Sequence, residues 1–117
     1  MDIKIDVNDL LKEAKEQIAN LALATASKYK DQVILEGNKL LVSMQKDLIR
    51  WTEMLAEGKL TTAEFETLAK SYKVELTVSA LQQAGLASVR SYDMAMGILN
   101  VIIDVALKMV DRVIKTL

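Results

Sequence analysis

Small and apolar side chains recur along this chain at steps of three or four residues, the spacing that aligns one face of an α-helix. In the first half the row runs from Val7 through Leu11, Ala14 and Ile18 to Leu48, Trp51 and Leu55. In the second it runs from Phe65 through Leu68 and Tyr72 to Ile102, Met109 and Val113. No proline interrupts either row. The pattern predicts an all-α chain, an antiparallel helical hairpin of two long helices over about 7–57 and 62–116. The mean step lies near the straight-helix period, so little supercoiling is expected. A helix of roughly fifty residues would be about 75 Å long.

The junction between the rows is LAEGKLTTAEFETL, residues 55–68. Gly58 follows a helical run and suits the left-handed conformation that closes a helix. Thr61 stands as an N-cap with Glu64 three residues later, the capping-box spacing, and Leu60 and Phe65 fall where a hydrophobic staple places them. Residues 58–61 are therefore the interhelical turn. The first helix has a similar start near residue 7, with Asp6 as cap, Asp9 three residues on, and Ile5 with Leu10 as staple.

Two glycines offer a different topology. A break at Gly37 and another at Gly85 would fold the chain as a single-chain up-down four-helix bundle. Connections in bundles usually take about two to eight residues, and neither glycine has enough turn-favouring neighbours to supply one. The hairpin is the leading reading for that reason. It sets a ridge of small residues, Ala80, Ala84, Ser88, Ser91 and Ala95, opposite Ala22, Ala26 and Ser27.

The stretch MAMGILNVIIDVALKMV, residues 94–110, bears most on function. On a helix, Asn100, Asp104, Lys108, Asp111 and Lys115 share one narrow stripe, and Asp104 with Lys108 and Asp111 with Lys115 have the favourable acid-first i,i+4 order. The rest of the circumference is apolar, which is more than a single partner helix covers. Residues 18–26, facing it in the hairpin, are also apolar. An open patch of that size is unusual on a monomer. The expected function is a non-enzymatic structural or interaction module that self-associates as a homo-oligomer through Leu21, Leu23, Met96, Leu99, Ile103, Leu107 and Val110.

Two other functions fit the same pattern. One is a membrane-active protein, pore-forming or lipid-inserting, that releases its apolar segments into lipid. The other is an adaptor or chaperone that covers a partner's apolar helix. A resident transmembrane helix is not expected, because spanning takes about twenty apolar residues and Asp104 and Lys108 would each cost about 2.5–3.5 kcal/mol near a bilayer centre.

Composition narrows the chemistry. The 117 residues carry 15 basic and 16 acidic side chains, so no net field steers the chain onto nucleic acid. It has no histidine and no cysteine, which removes most nucleophile–base pairs, the usual zinc sites and the Glu-x-x-His di-iron pattern. No catalytic, cofactor-binding or metal residue is assigned, and no enzymatic activity is expected. Ser27 and Lys30 match S-x-x-K but lack its companion motifs. Glu13 with Glu16, and Glu64 with Glu66, sit at helix starts where the dipole favours them. Trp51 is placed near Leu68, Phe65 and Tyr72 as a packing anchor. The chain reads as one domain, 1–117, with residues 1–6 an N-terminal arm, either frayed or paired with another chain as a strand. Its acidic start lacks the pattern of a signal peptide, so a cytoplasmic location is expected.

Overall fold

The computed structural model describes residues 6–72 and 74–115. They form five α-helices: α1, Val7–Thr25; α2, Lys30–Ala56; α3, Thr62–Lys70; α4, Glu75–Gln83; and α5, Ser88–Lys115. A 3₁₀ turn, Ser27–Tyr29, joins α1 to α2, and no strand occurs among the described residues. The all-α expectation holds. The helix starts at residues 7 and 62 also stand where the capping signals put them.

The two uninterrupted helices do not form. The first is broken at Ala26–Tyr29, and the second at Ser71–Val74 and again at Ala84–Ala87. At the first break Thr25 Oγ1 donates back to the Leu21 carbonyl at 2.6 Å and Ala26 takes φ −149°. The next turn tightens, with the Tyr29 N–H on the Ala26 carbonyl. At the second, the Ser71 N–H is shared between the Thr67 and Leu68 carbonyls and its hydroxyl donates to Leu68. Such local side-chain bonds compete with helix continuation. At the third, Gly85 has φ +117°, the Gly85 N–H reaches the Gln82 carbonyl and the Leu86 N–H reaches Leu81. That is a Schellman closure. Reading Gly85 as a break was right. Gly37 is no break: as the leading hairpin reading has it, the residue stays inside the helix, buried in α2.

Contacts between elements give the path of the chain. Gly37 on α2 lies against Ile18 on α1, and α1 meets α5 in the opposite sense, Thr25 near Met94 and Glu13 near Arg112. Helices α2 and α5 run parallel, with Gly37 beside Ile98 and Leu55 in one groove with Leu107 and Val110. Helices α3 and α4 climb back along the α2–α5 pair as one split limb, which ends with Gly85 beside Tyr29. Among the described residues α1 touches α2 and α5 but neither α3 nor α4. The small-residue ridge is therefore not a single surface. Ala80 and Ala84 belong to the split limb on the far side from Ala22 and Ala26, whereas Ser91 and Ala95 are buried on α5.

This arrangement encloses α5 on three sides. Ile98, Leu99, Ile102 and Ala106 are fully buried, and Ile103, Val105, Met109 and Val110 nearly so. Each large aliphatic side chain removed from water contributes about 1.5–3 kcal/mol, as an upper estimate. The longest dimension is 48 Å, well short of the extended hairpin.

Candidate interaction surface

The polar stripe of α5 is a wet edge, as its spacing predicts. Asn100, Asp104, Lys108, Asp111 and Lys115 are all exposed. Asp104 pairs with Lys108 at 3.0 Å and Asp111 with Lys115 at 2.8 Å. The hydrogen bond and charge of Asp111 hold the Lys115 ammonium above its ordinary pKa. Arg112, outside the stripe, reaches Glu13 of α1 at 2.6 Å, which raises its pKa further and ties the two helix ends together.

The seven residues assigned to a self-association surface separate into two groups. Leu99, Ile103 and Val110 are buried by their own chain. Pairing α5 with one partner helix had left them uncovered, and in the structure α1, α2 and the split limb all pack on α5. Leu21, Met96 and Leu107 are half-buried, and Leu23 is 54% exposed.

A different apolar row emerges on the outer side of α5. Val89, Tyr92, Met96, Leu107 and Ile114 follow one another at helical spacing, with Asn100 the polar member and Ile103 and Val110 beneath. Val89 is 75% exposed, Tyr92 54% and Ile114 50%. The lower end of the row opens into a groove lined by Leu55, Leu60, Leu107, Val110 and Ile114, with Thr61, Thr62 and Asp111 at its rim. The turn signals in the sequence build this groove. Gly58 has φ +76°, the Thr61 hydroxyl accepts from the Glu64 N–H at 3.1 Å, and Glu64 accepts from the Thr61 N–H at 3.0 Å. Phe65 is fully buried and Leu60 packs half-buried against the core. A second row, Leu35, Val42 and Ile49 on α2, points outward at seven-residue steps, with the first two exposed.

The other candidate groups take structural roles. Glu13 is committed to Arg112 and Glu64 to the capping box. Ser27 and Lys30 are both exposed at the α1–α2 turn, where the Lys30 N–H donates to the Ser27 carbonyl. Trp51 meets Tyr72 edge to face with centroids 5.9 Å apart, and the Tyr72 hydroxyl donates to Asp47 at 2.7 Å. The cluster docks α3 on α2. Burial first, and then the Asp47 hydrogen bond and charge, raise the Tyr72 pKa.

Asp6 caps α1, accepting from the Asp9 N–H at 3.2 Å. Ile5, the expected staple partner of Leu10, lies with the rest of the proposed arm before Asp6 outside the described residues. Among the described residues no group of three or more acidic side chains is placed to hold a metal ion, and no helix is long and apolar enough to cross a membrane. The chain matches no protein-family model, no curated protein and no solved structure.

Proposed function

We propose that the protein is a non-enzymatic helical interaction module that associates with further copies of itself through the outer row of α5 and the groove at its lower end. The observation that carries this reading is the set of large apolar groups left on the solvent side of an otherwise well-covered helix. Val89, Tyr92 and Ile114 are at least half exposed, and Leu107 stands both in the row and in the groove wall. Apolar side chains scattered singly on a surface need no explanation, but a row along one helix edge that ends in a groove is the form taken by helix-in-groove contacts.

Absolute mass by light scattering tests the proposal. A multiple of the chain mass that survives dilution is expected, with Leu107→Glu and Val89→Glu shifting it to a monomer of unchanged helicity. A monomer at every concentration overturns it.

A further inference from the structure

The turns of this molecule differ in how they are made. Those at Gly58 and Gly85 each carry a positive-φ glycine and the paired carbonyl closures of a Schellman motif. The turn at Ala26–Tyr29 has neither. It contains no glycine, proline or asparagine, and no side chain caps the 3₁₀ turn or the start of α2. Its sequence continues the helical row of the flanking segments, so the one local bond against continuation is the Thr25 hydroxyl on the Leu21 carbonyl, which a continuous helix also accommodates.

Tertiary contacts hold this turn shut. Arg90 Nη2 donates to the Thr25 carbonyl at 2.9 Å, supplying from α5 the cap that α1 lacks. Thr25 Oγ1 lies 3.7 Å from Met94 Sδ, and the Tyr29 ring stands beside Gly85. The helix so held is also the least anchored of the long ones. Among its buried residues only Leu10 and Ile18 are large, the others being Ala14 and Ala22.

We infer that α1 is an exchangeable element: Ala26–Tyr29 straightens to fuse α1 with α2, and the α1 of each of two copies docks on the α2–α5 pair of the other. The occupant is fixed by identity, because the exchanged helix makes the contacts it makes within one chain, and such exchange is a low-cost route to a dimer. Directions agree. Continuing α2 backwards through a straight turn sends α1 away from its own bundle and antiparallel to the α2 of an inverted second copy, the sense in which α1 and α2 already pack. The dimer would be about twice the 48 Å length of the closed chain. The inference goes beyond the proposed function, since it needs no contact through the outer row of α5.

The test uses the absence of native cysteine. One batch of full-length chain carries Glu13→Cys and another Arg112→Cys, replacing two residues in direct contact between α1 and α5. The batches are mixed, unfolded in guanidinium, refolded at high concentration and treated with a short bis-maleimide. Exchange gives a covalent dimer. Adding Ser27→Pro to both batches keeps the closed turn, because proline is accepted at the first position of a helical turn, but breaks a continuous helix. The covalent dimer is then expected to fall by about tenfold or more. An equal yield with Ser27→Pro overturns the exchange. An oligomer by mass without covalent dimer also overturns it and leaves the proposed function standing, whereas a monomer throughout overturns both.

Discussion

Gly37 lies so close beneath Ile18 that a Cβ built on it would stand 2.6 Å from Ile18 Cγ2. The Ile18 side chain of α1 packs there directly onto the backbone of α2. Gly37, a helix break only in the alternative four-helix reading, stays inside α2 and makes room there for the Ile18 side chain of α1. Helix propensity alone favours Gly37→Ala by about 1 kcal/mol. Overpacking a buried contact costs about 1–3 kcal/mol, and Ile18 is itself fully enclosed. The difference leaves Gly37→Ala neutral to destabilising, by about 0–2 kcal/mol in urea denaturation. A gain in stability would show that α1 and α2 do not approach in this way.

Leu99 and Leu107 are eight residues apart on one helix and should respond differently to the same change. Leu99 is fully buried, so Leu99→Ala should cost about 2–5 kcal/mol and Leu99→Glu should unfold the chain. Leu107 is half-buried, and Leu107→Glu should leave the circular dichroism spectrum helical while lowering the mass. If both glutamates unfold the protein, the assignment of Leu107 to the surface row fails.

The start of α3 carries a pH dependence whose sign is set. Hydrogen bonds from the Thr61 backbone and side chain lower the Glu64 pKa in the folded state. A lowered carboxyl pKa contributes stability above its unfolded value and loses it as pH falls through the folded value. Glu64→Gln should therefore flatten part of the decline in stability on acidification. Thr61→Ala should cost about 1 kcal/mol at neutral pH, measured by thermal or urea unfolding. An unchanged acid limb in Glu64→Gln would count against the box.

Tyr72 gives the opposite sign. Its folded pKa is raised, so its contribution is full below the unfolded tyrosine value and fades as pH climbs through the folded one. Tyr72→Phe removes the hydrogen bond to Asp47 and should cost about 1 kcal/mol near neutrality. Its difference from the native chain should shrink at high pH. Trp51 fluorescence is the readout, because its indole packs against the Tyr72 ring. A cost independent of pH would mean that the hydroxyl does not contribute as described.

How much of this was legible beforehand depended on whether the cause was local. The caps at Asp6 and Thr61, the closure at Gly58 and the paired charges of α5 rest on residues within four positions of one another, and they stand where their spacing places them. Gly85 carried a readable sign too: Leu86 after it is the apolar residue that often completes a Schellman turn, and it is buried. The breaks at Ala26–Tyr29 and Ser71–Val74 had only the hydroxyls of Thr25 and Ser71 as local signs, and such residues also occur inside helices. One depends on Arg90 and the other on Tyr72 docking beside Asp47, contacts between residues 65 and 25 positions apart. The candidate surface was misplaced by the same route. With one partner helix expected for α5 in place of α1, α2 and the split limb together, Leu99, Ile103 and Val110 read as uncovered, and the outer row of Val89, Tyr92 and Ile114 does not stand out.

Because, among the described residues, α1 and the split α3–α4 limb do not touch, changes of free energy on one side have no direct partner on the other. Substitutions in the two limbs should add, as they do for sites without shared neighbours, with departures only where both press on one residue of the α2–α5 pair. The molecule thus amounts to a parallel spine with two independent covers, and either cover can vary in sequence without obliging the other to follow.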